Sequence, residues 1–260
     1  LADEIIALFP QTYARYFEPF LGGGAVFFRL HPSQAILADS NRELINAYIT
    51  VQTQVDRLMT ALKGLSISSE LFYMLRAAQP SDSFERAVRF MYLNRTAFNG
   101  MYRVSQEGKF NVPFGCKPKT VLCQADILLA ASLALGNARL LQADFEEVME
   151  QAGRDDLVYA DPPYTTKHDN NGFRRYNESI FSWADQERLA EAAMRALARG
   201  ATVVVSNAHH EELRQLYQDF QCHVLTRTSC ISGKSQSRGQ VSEYLFVGKP
   251  IMRSSNLLPR

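Results

Sequence analysis

Short apolar runs suited to buried strands alternate along this chain with stretches whose apolar residues recur at helical spacing. Tyr16 to Phe20 reads as a first strand, and Ala35-Ile36-Leu37-Ala38-Asp39 as a second. Ala138 to Ala143, Leu157 to Asp161, Ala201 to Asn207, His223 to Thr226 and Glu243 to Gly248 extend the series. Between them, Asp3 to Phe9 places Ile5, Ile6 and Phe9 on one helical face, and Ser40-Asn41 caps a helix carrying Leu44, Ile45 and Tyr48. Ser182 and Asp185 cap a helix with Leu189, Ala192, Ala193, Ala196 and Leu197 on one face and Gly200 as its stop; another helix covers His210 to Phe220. Strands and helices taken in this order predict an α/β sheet.

The alternation stops from about Val55 to Asp126, which predicts an insertion within a domain formed by residues 1–54 and 126–260. Phe84, Val88, Met91 and Tyr92 fall at helical spacing and face a core. From Asn94 to Arg103, cations, amides, glycine and large apolar groups mix without helical or strand period, and Lys109 to Gly115 adds an aromatic, glycine-punctuated loop. Such segments suit either a nucleic-acid surface, with arginine forks and the apolar wedges Phe98 or Met101, or a surface loop whose aromatics pack locally.

Composition sharpens this division. With 260 residues, 46% hydrophobic and 21% charged, the chain can bury a full core. Its apolar runs fall far short of the roughly 20 residues that cross a bilayer, so a cytoplasmic protein without membrane partners is expected. Cys116, Cys123, Cys222 and Cys230 form no Cys-x-x-Cys pair and are not spaced with the histidines as ligands, so reduced cysteines and no metal are expected. A net charge of +1 advertises no nucleic-acid partner, but Arg86 to Lys119 carries seven basic residues against the single acid Glu107. Any positive surface is therefore local to the insertion. A flexible basic stretch is expected at Ser232 to Gly239, and His209 and His210, at a helix start, are given no role. The absence of coiled-coil heptads favours a monomer.

The candidate chemistry lies where strands end. Asp161-Pro162-Pro163-Tyr164 stops an apolar strand at an acid, because neither proline can donate to a sheet ladder. Ligands bind at that edge of open α/β sheets. The first strand runs into Leu21-Gly22-Gly23-Gly24 and an apolar helix start, an order that lets backbone N–H groups approach a ligand closely. Asp39, ending the second strand, suits a ribose hydroxyl pair or a helix cap. Together these features favour an adenosine-containing cofactor, without separating NAD from S-adenosylmethionine.

Glu18 to Gly24, Leu37 to Asn41 and Asp161 to Tyr164, in this order, resemble the cofactor loop, ribose-binding turn and catalytic tetrapeptide of the Dam-type N6-adenine DNA methyltransferases. These are the group in which the cofactor motif comes first and a target-recognition insert lies between. Asn94-Arg95, Asn99-Gly100, Arg103 and Phe110 to Gly115 resemble residues that the family uses on DNA. The resemblance covers nearly the whole chain. It implies a Rossmann-like class I S-adenosylmethionine-dependent methyltransferase fold with a mainly helical recognition insert at residues 55–125. It further implies double-stranded DNA as partner, with the cofactor held by Phe20, Gly22, Gly24, Asp39, Asp144, Phe145 and Asp161. Asp161, Pro162 and Tyr164 would be catalytic, and Arg95, Phe98, Asn99, Met101, Arg103 and Pro113 would meet a GATC-like site. The family also carries an aromatic residue and a Gly-Gly-Lys segment near its N-terminus; this sequence opens at Leu1, so those residues are expected upstream of it. Where the family commonly has tyrosine, this chain has Phe98, which keeps stacking and loses a hydroxyl contact.

In the implied mechanism Asp161 and the Pro162 carbonyl accept hydrogen bonds from adenine N6 and aim its lone pair at the sulfonium methyl, with Tyr164 stacked on a flipped base. A catalytically silent DNA-binding relative stays open beside this reading. So does methyl transfer to RNA or to a protein amide; a nicotinamide enzyme is the remotest of the readings.

Overall fold

In a computed structural model, which describes residues 1–105, 109–115, 120–164, 181–228 and 240–250, the chain divides into two compact units. The first comprises Leu1–Ser40 and Ala143–Arg260, the second Asn41–Gln142. The expected stretch at Ser232 to Gly239, with Cys116 and Cys230, lies outside the described residues.

In the first unit, β1 (Tyr16–Glu18) and β4 (Leu157–Ala160) are buried at every position, as apolar runs covered on both faces must be. β1 pairs in parallel with β2 (Ala35–Asp39) on one side and with β4 on the other. β4 continues in parallel to β5 (Thr202–Ala208), after which β7 (Gln240–Gly248) runs antiparallel between β5 and β6 (Gln221–Thr228). The strand order in this unit is therefore β2-β1-β4-β5-β7-β6, a Rossmann-like arrangement. The order reverses between β1 and β4, and at such a switch point ligands bind beyond the carboxyl ends of the strands.

Local sequence explains the flanking elements. α1 is Ala2–Ile6, shorter than expected; Phe9 leaves the helix and packs its ring 6.4 Å from Tyr16 and 5.9 Å from Tyr159. α2 (Ala25–Leu30) follows the glycine turn, and Asp144 caps α7 (Phe145–Met149) by accepting the Glu146 N–H. Ser182 and Asp185 form a capping box on α8 (Trp183–Ala198), whose Leu189, Ala192, Ala193 and Ala196 are buried. His210 caps α9 (Glu211–Leu216), while His209 stacks on Tyr244.

The second unit contains α3 (Arg42–Lys63), capped by Asn41 and interrupted by non-helical dihedrals at Gln54. α4 (Ser69–Ala77), α5 (Ser83–Thr96), α6 (Ala125–Leu135) and β3 (Ala138–Gln142) complete it. Its boundaries take in the whole of α3, which packs against α5 and α6, so the compact unit begins before residue 55 and ends after 125. Phe84 and Tyr92 are buried as their spacing predicts, whereas Val88 and Met91 are half-buried. Asn94, Arg95 and Thr96, read from sequence as aperiodic, form the last turn of α5: the Thr96 hydroxyl returns a hydrogen bond to the Tyr92 carbonyl at 2.6 Å.

Candidate active site

β4 delivers the tetrapeptide to the sheet edge. Asp161 is exposed just beyond the strand, Pro162 is buried, and Pro163 and Tyr164 are half-buried. Beneath them Tyr159 and Ser206 share a buried hydrogen bond of 2.9 Å, which ties β4 to β5. At the other end of β4 the buried Asp156 accepts two hydrogen bonds from Arg15, at 3.1 and 2.6 Å, and one from the Gly153 N–H at 2.8 Å. Both strands at the switch point are thus anchored at their starts, which fixes where they end.

The glycine turn sits beyond β1. Leu21 donates to the Ala38 carbonyl at 2.8 Å and Gly24 closes back on the Leu21 carbonyl at 2.7 Å. Gly22 and Gly24 have φ of +47° and +65°, conformations that favour glycine. The Gly22 N–H donates to Asp39 Oδ2 at 3.1 Å, so the acid ending β2 is held against the loop. A Cβ at Gly22 or Gly23 would meet nothing within 4 Å, so the space over this backbone is open.

Phe20, half-buried, stacks on buried Phe145 with ring centres 5.3 Å apart. Phe181 closes the group at 5.5 Å from Phe20 and 5.6 Å from Phe145. Asp144, beside Phe145, receives Arg188, whose guanidinium also reaches Glu146 and Asp185. Phe20, Gly22, Gly24, Asp39, Asp144, Phe145 and Asp161 all belong to the first unit. Phe181 and Arg188 carry no motif in the sequence; only their nearness to a helix cap marks them.

Glu18, the last residue of β1, is 3% exposed. Tyr16 donates to its Oε2 at 2.7 Å. Burial pushes its carboxyl up to about 8; the Tyr16 hydroxyl and the Phe27 N–H oppose that shift, and the neighbouring Asp161 reinforces it.

The residues expected on DNA lie in the second unit. Phe98 and Met101 are exposed on either side of Asn99-Gly100, where both residues have positive φ and a short 3-10 turn reverses the chain. Arg103 is exposed and its Nε donates to Asn111 Oδ1 at 2.7 Å. Arg95 donates to the Val121 carbonyl and to Gln124 Oε1, both at 3.0 Å. Pro113 is exposed, its carbonyl accepting from the Phe98 N–H at 2.9 Å. Phe110 and Val112, by contrast, are buried with Phe72, Tyr92 and Leu93. Gly115 allows the close approach that seats this loop, since a Cβ there would lie 2.6 Å from the Ala97 carbonyl oxygen.

Among the described residues, no group of three or more His, Cys, Asp or Glu is arranged to hold a metal ion, and no helix is long and apolar enough to cross a membrane.

Comparison with known proteins bears on the chemistry. Residues 1–231 match the family described as D12 class N6 adenine-specific DNA methyltransferase. A type II methyltransferase of Lactococcus lactis subsp. cremoris, M1.LlaDCHI, is 34% identical, over 94% of this chain and 90% of its own. The DNA adenine methylase of Escherichia coli K12 is also 34% identical, over 90% of this chain and 86% of its own. A solved precorrin-6y C5,15-methyltransferase from Geobacter metallireducens covers 95% of this chain and 85% of its own, with a TM-score of 0.40 at 9% identity, too remote a likeness to add to these relatives. The chain belongs to the D12 class of N6 adenine-specific DNA methyltransferases and is an enzyme of that kind.

Proposed function

We propose that this enzyme uses S-adenosylmethionine to methylate N6 of an adenine turned out of duplex DNA, within a GATC-like site. The observation that carries the reading is the meeting, at one sheet edge, of the Gly22–Gly24 turn with Asp39 tied to it and of Asp161-Pro162-Pro163-Tyr164 one strand away. The donor set fits the cofactor: exposed loop backbone over open space, a carboxylate at the ribose position, and Phe20, Phe145 and Asp144 for a purine. When bound, the cofactor supplies a methyl group on a positively charged sulfur.

The remaining work falls to the chain. The lone pair of adenine N6 is delocalised into the ring, so the amino group has to be reoriented before it can attack. Asp161 and the Pro162 carbonyl accept hydrogen bonds from its two N–H groups and turn the lone pair toward the methyl, an effect of positioning and electrostatics. The proline after Asp161 has no N–H to extend the ladder, so the strand ends where the acceptor is needed. Tyr164 stacks on the base, which leaves the duplex at a cost of about a few kcal/mol. Phe98 and Met101 supply the apolar groups for the vacated step, Arg103 the guanine contact and Arg95 a phosphate contact, with Asn99 and Pro113 shaping the turn between them. The division into a catalytic domain at residues 1–54 and 126–260 and a recognition insert at 55–125 belongs to this proposal.

The test is methylation of duplexes that carry adenine in GATC or its single-base variants, and, on separate duplexes with 2-aminopurine in place of the target adenine, the fluorescence that reports base extrusion. Preferential methylation of the adenine GATC duplex, and a fluorescence rise on its 2-aminopurine counterpart, are expected. Equal rates on all adenine duplexes would overturn the site, and an unchanged signal on the 2-aminopurine counterpart of a duplex that is methylated would overturn the flipping.

A further inference from the structure

Glu18 is a buried acid for which methyl transfer by Asp161 and Pro162 has no use. β1 and β4 pair in parallel with Tyr16 beside Leu157 and Phe17 beside Val158. Paired residues of parallel strands project to the same face, and side chains alternate along each strand. Tyr16, Glu18 and Tyr159 therefore share one face of the sheet, and the packing of Phe9 against both Tyr16 and Tyr159 agrees with that. Asp161, just past the end of β4, is near enough for its charge to act on Glu18. Two carboxyl groups stand on adjacent strand ends beside a turn built to take a ligand.

The surroundings of Glu18 offer donors to a charge that its burial disfavours. The Tyr16 hydroxyl and the Phe27 N–H are both donors aimed at the carboxylate. Burial and the like charge of Asp161 work the other way, and they prevail, leaving the group at about 8 and protonated at neutral pH. A positive charge placed between the two acids would reverse that balance. S-adenosylmethionine carries such a charge on sulfur; its product, S-adenosylhomocysteine, has lost it with the methyl.

We propose that Glu18 is the counter-charge for the cationic methyl donor, assumed only while the donor is bound, so that the site holds S-adenosylmethionine in preference to its spent product. The proposal rests on the cofactor reading above. On binding, the Glu18 O–H bond breaks, its proton passes to solvent and the carboxylate keeps the electron pair, held by Tyr16 and Phe27. After transfer the cofactor is neutral at sulfur, the carboxylate takes a proton back, and the product's hold is weakened.

Among the described residues, the groups that act on Glu18 are Tyr16 on β1, Tyr159 on β4, Asp161 just beyond it, and the Phe27 N–H of α2. Burial pushes both phenols far up, so neither titrates near neutrality. Asp161 is the competitor, and Glu18→Gln leaves it in place.

The experiment is calorimetric titration of the full chain with each cofactor at pH 7, in buffers of different ionisation heat. Wild type is expected to release about one proton with S-adenosylmethionine and close to none with S-adenosylhomocysteine. Glu18→Gln should release almost none with either and should narrow the affinity ratio of the two by roughly tenfold. Equal release with both cofactors, no release with S-adenosylmethionine, or release that persists in Glu18→Gln overturns the proposal. If the variant does not fold, the contrast between the two cofactors on wild type decides alone. Binding without proton release contradicts the counter-charge and leaves the cofactor reading intact; binding of neither cofactor contradicts both.

Discussion

Arg188 donates from Nη2 to Asp144 Oδ1 at 2.9 Å while its guanidinium carbon lies 4.8 Å from the centre of the Phe145 ring. The same group reaches Glu146 Oε2 at 2.8 Å and, through Nη1, Asp185 Oδ1 at 2.9 Å. One arginine thus fastens the start of α7 to the capped first turn of α8, and the four acids and rings it touches include two of the proposed purine contacts. Arg188→Met is expected to raise KM for S-adenosylmethionine about threefold to tenfold while leaving kcat at saturating cofactor nearly unchanged; the guanidinium is partly solvated, which limits the effect. Steady-state kinetics with varied cofactor checks this, and a fall in kcat without a change in KM speaks against it.

Arg15 and Asp156 set the starts of β1 and β4. Asp156 is buried, and Arg15→Met would remove two of the three hydrogen bonds that its carboxylate accepts from Arg15 and the Gly153 N–H. A loss of about 1–3 kcal/mol in unfolding free energy is expected, measured by denaturant titration. An unchanged midpoint and slope would show that the pair does not hold the strands.

Glu18 makes stability depend on pH in a definite direction. Its carboxyl stands at about 8 in the folded chain, above the ordinary 4.5. Between those values the folded state holds a proton that the unfolded chain has lost, so the contribution is fully present below about 4.5 and is lost as pH rises through about 8. Glu18→Gln removes this slope: in the absence of cofactor the variant should match wild type near pH 5 and exceed it above pH 8 by a few kcal/mol, at roughly 1.4 kcal/mol per pKa unit. Parallel stability curves for the two proteins would contradict the burial cost.

Much of the sheet is legible in the sequence because its parallel strands are continuous apolar runs closed by punctuation: Asp39, Asp144 and Asp161 with its prolines mark three ends, and the Ser182–Asp185 cap marks a helix start. Where the sequence misleads, tertiary context overrides local pattern. Asn94 to Thr96 has no apolar period, yet it continues α5 because the helix is already nucleated and the Thr96 hydroxyl is satisfied within it. Phe110 reads like Phe98, but Phe110 is buried against Phe72 and Tyr102 while Phe98 is exposed, a difference set by which residues fold back across the Gly115 contact. Arg188 and Phe181 reach the site from beyond the tetrapeptide, and no spacing rule links them to it. Glu18 stands in the cofactor motif, but only the parallel pairing of β1 with β4 brings it near Asp161.

The roles proposed for Arg103 and Arg95 are two different kinds of DNA contact. Arg103→Ala should cost about 1–3 kcal/mol of discrimination at one base pair. Arg95→Ala should weaken binding to all sequences alike and lower the salt dependence by about one ion. Binding isotherms on cognate and single-base variant duplexes at several salt concentrations distinguish the two. If Arg103→Ala preserves the wild-type ratio of cognate to variant affinity, the guanine assignment fails.

The account turns on Asp161 receiving the target amino group. Its most direct test is to incubate wild type and Asp161→Ala with S-adenosylmethionine and GATC duplex, digest the DNA to nucleosides and measure N6-methyladenine. Wild type should produce it, and Asp161→Ala should fall by at least about 100-fold while still binding the duplex. Undiminished N6-methyladenine from the variant, or none from wild type, would contradict the account.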